Sequence, residues 1–305
     1  MDTTTTGAVA VCARRAGMIA AYAMAIAVLA AGRWSVAGQA QGTSGAAPVS
    51  TAPASAVPAS AGPVSAGPPS AALLENLVAA NRILAQHAIV DGFGHVSVRH
   101  DRDPGRYLLA RSMAPELVTS ADVMELDLES VPVDARGRAS YQERFIHGEI
   151  YKARPDVRAI VHHHAQAMIP FGVTAARLRP VYHMAGFIGA GLPIFEIRSV
   201  AGMTDMLVST PALGRALAAT VGAAPAALMR GHGTVVVGES LPVAVGRSIY
   251  LDANAKVQLQ AIALGGAGGA VTYLDPEEAR RIVAAGENGG YLRPWELWKR
   301  NVTSR

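Results

Sequence analysis

From residue 71 onward the apolar positions alternate between helical and strand periods. Leu73, Leu74, Leu77, Leu84 and Ala88 recur at helical spacing, which predicts a helix over Ala71–Val90 with Ser70 as its N-cap and Asp91-Gly92 as its break. His95–His100 and Tyr107–Ala110 read as strands around an Asp101–Gly105 turn, and Val123–Leu128 alternates as a third strand. A helical span follows Glu143, and the short apolar run Ala159–Val161 ends in His162-His163-His164. Ala212–Val221 reads as a helix, and Ala226–Met229 and Thr234–Val237 as strands flanking Gly231-His232-Gly233. Leu241–Leu264 is a long helix, Glu277–Ala285 is the last one, and Arg293-Pro294-Trp295 opens a tail. Strands and helices mix without a regular βαβ repeat. With no GxGxxG after a strand and no P-loop, no nucleotide cofactor is expected.

The chain before residue 70 follows different rules. Arg14 and Arg15 precede an uncharged apolar run, Ala16 to Ala31, and Gly38 and Ala40 are small residues suited to cleavage after Ala40. Residues 1–40 therefore read as an export signal, with the paired arginines raising the twin-arginine route. An over-extended start on a cytoplasmic protein is the alternative. The apolar run is short for a membrane span, so none is expected once the signal is removed. Residues 41–70 are Ala, Pro, Ser, Gly, Val and Thr in a rough repeat, which predicts a disordered tether. The catalytic domain is then 71–305, and the mature protein is expected in the periplasm or outside the cell.

Composition adds exclusions. Half of the 305 residues are apolar, a figure inflated by the Ala-rich start, and the net charge is +4. The arginines are scattered and few aromatics interleave with them, which argues against nucleic-acid binding. Cys12 is the only cysteine, so an intrachain disulfide is impossible and thiolate metal binding is not expected.

The chemistry concentrates between Glu143 and His164. On a strand, residues i and i+2 share a face, so His162 and His164 point one way and His163 the other. Two imidazoles on one face make half of a metal site, or else a polar strand end. Glu143 has two readings. Ser140-Tyr141-Gln142-Glu143 matches a capping box, in which the glutamate only caps the helix. A helix N-terminus also keeps a carboxylate ionised, as a ligand or general base requires. His147 lies one turn on and is expected to pack or support the site. His232, between two glycines that permit a tight turn, offers a third imidazole. Three nitrogens and one carboxylate oxygen would hold one divalent ion per subunit (Zn, Mn, Fe or Co) and leave room for a small-molecule substrate.

Gly94-His95-Val96-Ser97-Val98-Arg99, the Glu143 to His147 helix, Arg154-Pro155-Asp156-Val157 leading to the three histidines, and Gly231-His232-Gly233 together resemble the class II aldolase/adducin family. The resemblance runs from about Ala71 to Arg305. It implies an α/β fold, a three-layer α/β/α domain with a central, mainly antiparallel sheet. It implies metal binding by His162, His164 and His232, and Glu143 as ligand or catalytic acid/base. It also implies a homo-oligomer, usually a tetramer, with sites between subunits. The adducin branch lacks the metal histidines that this chain keeps, so an enzyme is expected.

The departures from the sugar-phosphate aldolases bear on the reaction. His95 stands where those enzymes carry Asn, Arg111-Ser112-Met113 replaces their phosphate loop, and Tyr141-Gln142 replaces small hydroxyl residues. The donors a phosphate needs are missing. His183 stands where the aldolases lend a Tyr acid to a neighbouring subunit. These features, with the closing Arg-Pro-Trp-Glu-Leu-Trp-Lys, resemble the branch that decarboxylates hydroxylated aromatic dicarboxylates. The resemblance implies a carbon–carbon lyase. In this reading His95, Ser97, Arg99, Arg111 and Ser112 bind substrate, an arginine pairs a second carboxylate, and Glu143 or His183 supplies the proton. The alternatives are an aldolase or epimerase on a sugar or sugar phosphate, a non-haem iron oxygenase on the same scaffold, and a non-catalytic module.

Overall fold

The computed structural model describes residues 67–265 and 270–303, and the expected signal and most of the tether lie outside them. The elements are α1 (Ala71–Gln86), β1 (His95–Arg99), β2 (Arg106–Ala110), β3 (Val123–Asp127), α2 (Phe145–Ala153) and β4 (Ala159–His163). They continue with α3 (Ile169–Val173), β5 (Ile194–Phe195), α4 (Arg198–Ala201), α5 (Pro211–Val221), β6 (Ala226–Met229) and β7 (Gly233–Gly238). The chain then forms α6 (Leu241–Gly265), α7 (Pro276–Ala284), α8 (Glu287–Gly290) and α9 (Leu292–Thr303).

The strands form one seven-stranded sheet in the order β3-β2-β1-β4-β7-β6-β5. Every pairing is antiparallel except β5 with β6. Both faces are covered, which is why β1, β4 and β7 are buried at every position, polar residues included. On one face Val161 and Val236 pack with residues of α1, α6 and α9. On the other, Ile160, Val235 and Val237 pack with residues of α2 and α5. The result is the expected three-layer α/β/α arrangement with a mainly antiparallel sheet.

Two local expectations change. The first helix stops at Gln86, and Ala88 turns outward with φ of 54°, so Ile89 and Val90 enter the core in its place. The tail is a helix: Pro294 lies in the first turn of α9, where a missing N–H costs nothing, and Trp295, Trp298 and Val302 bury one stripe. Ser70 caps α1 as expected, its Oγ accepting from the Leu73 N–H at 3.2 Å.

Candidate metal centre

The site forms at the end of β4, where the sheet register does the positioning. His162 pairs with His95 of β1 on one side and with Val235 of β7 on the other. His162 and His164 turn toward the face that carries α2, and their Nε2 atoms lie 3.0 Å apart. His163 turns the other way and is fully buried. His232 comes from the β6–β7 turn, and its Nε2 is 3.1 Å from that of His164. The flanking glycines serve different ends. Gly231 takes φ of 63°, the left-handed region that favours glycine. At Gly233 a Cβ would collide with the His163 carbonyl oxygen and lie 2.9 Å from the His164 ring.

Glu143 completes the group. Its capping-box reading does not survive: the helix start over residues 142–144 carries no side-chain cap, and Glu143 itself has non-helical φ and ψ of −87° and 19°. Its Oε1 accepts from the Val208 N–H at 2.9 Å, and its Oε2 lies 3.5 Å from Nε2 of both His162 and His232. All of the donor atoms of Glu143, His162, His164 and His232 fall within 4.8 Å of one another.

Backbone carbonyls set the tautomers. Nδ1 of His162 faces Thr234 O at 3.2 Å, and Nδ1 of His232 faces Met206 O at 3.0 Å. A carbonyl only accepts, so each Nδ1 carries a hydrogen and each Nε2 is aimed at the centre. Burial lowers the His232 pKa, but the Glu143 carboxylate beside it outweighs this and raises it, so a proton held there in the metal-free state is one that a divalent ion would displace. Burial, with His162 and His232 beside it, lowers the pKa of His164 to about 4, so it is neutral near pH 7. Burial pushes the Glu143 carboxyl up, but His162 and His232 outweigh this and hold it well below the usual carboxylate range. Converging lone pairs and one carboxylate are what a divalent cation requires. Nitrogen spacings of 3.0 and 3.1 Å would let one divalent ion reach all three imidazoles. The residues fit one divalent ion.

A cavity of about 330 Å³ opens beside this group, lined among others by Phe93, His95, Ser112, Met113, Tyr141 and Leu207, with Glu143 and His164 at its floor. The Tyr141 ring lies 4.7 Å from that of His95, centre to centre, and its hydroxyl donates to Met113 O at 2.6 Å. No Lys or Arg lines it among the described residues.

The other expected substrate ligands divide. His95 and Ser112 line the cavity. Ser97 does not: it is fully buried, its Oγ bonded to His147 and Tyr151. Arg99 is buried at the other end of β1 and spends four of its five N–H groups on the carbonyls of Pro104, Tyr151, Arg154 and Val157, away from the cavity. Its guanidinium also lies 4.6 Å from the Tyr151 ring centre. Arg111 is held by Asp122, Nε to Oδ1 at 2.7 Å, outside the cavity lining. His183 lies elsewhere in the chain, in a cavity with Tyr250, Leu292 and Arg293. Sequence reasoning missed the orienting groups Val208 N and Met206 O, which carry no side-chain signal. It noted Tyr141 only as a departure, not as a wall.

Residues 75–259 match the model of the Class II Aldolase and Adducin N-terminal domain. Decarboxylase tropJ of Talaromyces stipitatus is 34% identical over 248 residues, covering 75% of this chain and 93% of that protein. A 3,4-dihydroxyphthalate decarboxylase of a Terrabacter species is 31% identical, covering 62% of this chain and 80% of that protein. Among solved structures, L-fuculose 1-phosphate aldolase from Glaciozyma antarctica superposes with a TM-score of 0.63 at 24% identity, covering 78% of this chain and 94% of that one, a likeness of fold.

Proposed function

The chain belongs to the class II aldolase and adducin family, and from that premise we propose that it is a divalent-metal-dependent carbon–carbon lyase that decarboxylates a hydroxylated aromatic acid. The relatives named as decarboxylases support the reaction class. One observation carries the substrate: the cavity beside Glu143, His162, His164 and His232 is walled by Phe93, Met113, Tyr141 and Leu207 and has no basic lining among the described residues. Such walls suit a flat ring and set no cation against a phosphate dianion. Arg99 is committed at the far end of β1 and Arg111 lies outside the cavity lining, so the substrate class is a ring with one carboxylate next to a hydroxyl.

His162, His164 and His232 are the proposed metal ligands, with Glu143 as the oxygen ligand. A divalent ion held by these residues would supply Lewis acidity at the ring hydroxyl. Tyr141 and His95 flank the ring plane, and Phe93, Met113 and Leu207 keep water from it. The C–COO⁻ bond breaks, CO₂ departs, the electron pair stays on the ring carbon, and a proton must replace the lost group. Glu143 is held ionised by its histidines and is not a resting acid. The proton therefore falls to His183, supplied by a neighbouring subunit of a homo-oligomer, a tetramer in this reading.

The test is CO₂ release by protein reconstituted with Mn, Fe, Co or Zn, screened over ortho-hydroxy aromatic acids. Oxygen consumption with the same substrates would point to an oxygenase instead, and turnover of a sugar phosphate to an aldolase. We also propose that residues 1–40 direct export, that 41–70 is a tether and that 71–305 is the catalytic domain. Protein from its native host should begin near Gln41, and an intact Met1 would refute export.

A further inference from the structure

Behind the cavity wall runs a buried chain of hydrogen bonds that the proposed reaction does not use. Nδ1 of His95 lies 2.7 Å from Nε2 of His147, and Nδ1 of His147 lies 2.6 Å from Oγ of Ser97. Oγ of Ser97 lies 2.8 Å from the Tyr151 hydroxyl, which is 3.5 Å from the Arg158 carbonyl oxygen. All four side chains are buried. Each contact needs one hydrogen, and each neutral side chain brings one. Two arrangements satisfy every contact up to Tyr151 with each hydroxyl hydrogen directed at a partner, and they differ in direction. A third, in which Ser97 accepts from both His147 and Tyr151, leaves the buried Ser97 hydrogen without an acceptor among the described residues and is discarded.

In one, Tyr151 donates to Ser97, Ser97 to Nδ1 of His147, and His147 Nε2–H to Nδ1 of His95. The remaining hydrogen then sits on Nε2 of His95. In the other, every donor is reversed, Nε2 of His95 is bare, and Tyr151 must donate to Arg158 O. Distances decide between them. The Tyr151 hydroxyl is 0.7 Å closer to Ser97 than to Arg158 O (3.5 less 2.8 Å). That carbonyl is already engaged by the Arg99 N–H at 2.8 Å. A phenol is also a better donor than an alkyl hydroxyl and a poorer acceptor. The first arrangement wins.

We propose that Tyr151, Ser97 and His147 are positioning residues that lock His95 as the Nε2–H tautomer, making it a neutral hydrogen-bond donor to an oxyanion of the substrate. The chain orients His95 and does not conduct protons. Conduction would leave a phenolate at Tyr151, and burial raises that phenol's pKa. Ser97 thus acts on the substrate from a position it cannot touch. A cavity without a Lys or Arg makes such a fixed donor valuable, because an oriented N–H binds an anion without reorganising. The inference rests on the reading of this cavity as the substrate site.

Two measurements test it separately. Neutron diffraction from deuterium-exchanged crystals reads the tautomer without any reaction. Deuterium is expected on Nε2 of both His95 and His147, and deuterium on Nδ1 of His95 overturns the proposal even if the protein is a decarboxylase. Calorimetry on the Zn-loaded protein then compares 2-hydroxybenzoate, an anionic probe, with phenol, a neutral one. Ser97→Ala should weaken 2-hydroxybenzoate roughly ten-fold, within the range for a hydrogen bond to a charged group, and leave phenol unchanged. Ser97→Thr, which keeps the hydroxyl, should restore the affinity. Equal weakening of both probes, or no rescue by folded Ser97→Thr, would assign Ser97 to packing alone. Failure of the CO₂ screen leaves the neutron result standing, which separates the two readings.

Discussion

His163 offers a sharp test because the strand turns it away from the metal-ligand face while its neighbours converge there. It is fully buried, and among the described residues its Nδ1 accepts only a 3.3 Å bond from the Ala165 N–H and its Nε2 meets no partner. Burial, with His162 and His164 beside it, lowers its pKa from 6.5 to about 3. Folding therefore holds this ring neutral, while the unfolded chain takes up a proton below pH 6.5. The folded state binds fewer protons, so stability is fully present above 6.5 and falls as pH drops through that value. Integrating between pH 7.5 and 5.0 gives a loss of about 2 kcal/mol, a figure that barely depends on where below 4 the folded pKa lies.

His163→Leu removes this loss with a side chain of similar size. At pH 7.5 the lost weak bond costs about 0.5–1.5 kcal/mol, and relief of the unpaired nitrogen returns about 1–3 kcal/mol. At pH 5.0 the variant should gain about 2 kcal/mol more over the parent. Urea unfolding of both proteins, with chelator present and at equal protein concentration, measures the difference, in which other titrating groups cancel. A stability difference that is the same at the two pH values would refute the buried neutral histidine. Metal content restored after unfolding should match the parent, since this ring faces α6 and not the ligands.

Alanine at His162, His164 or His232 should each cut bound metal and activity together, read by metal analysis of the purified variants; full metal content in His162→Ala would remove it from the ligand set. Gly233→Ala forces a Cβ against the His163 carbonyl and to 2.9 Å from the His164 ring, so it should cost about 1–3 kcal/mol of stability in urea and weaken metal affinity, whereas Gly92→Ala, with open space around it, should do neither. His183→Asn should keep metal and oligomeric state yet lose kcat by roughly 10²–10⁴-fold. Mixing it with His232→Ala chains should recover partial activity if His183 serves a neighbour's site, and none if it serves its own.

Much of the fold was legible because each local pattern agreed with its final environment. The period-two and apolar runs marked β1, β2, β3, β4, β6 and β7, and i, i+2 parity alone placed His162 and His164 on one face with His163 opposite. The Gly-His-Gly turn marked His232 because glycine allowances are local. Pro294 misled, since a proline closes a helix or opens one depending on which side the chain continues. The two-residue β5 is too short to carry a period at all.

Tertiary structure alone decided which polar groups are free. Arg99 and Arg111 looked available for a carboxylate, and only the folded chain shows four Arg99 N–H groups spent on carbonyls and the Arg111 Nε turned to Asp122 outside the cavity lining. Ser97 looked like a ligand, yet strand β1 turns it inward against His147 and Tyr151 of α2. Glu143 fits a capping box in sequence, and what draws it to the histidines instead includes the Val208 N–H, 65 residues away. A hydrogen-bond donor is committed by whatever acceptor lies within about 3 Å, and contacts between residues far apart in the chain leave no periodicity to read. Residue type states what a side chain can do, whereas packing states what it has left to do it with.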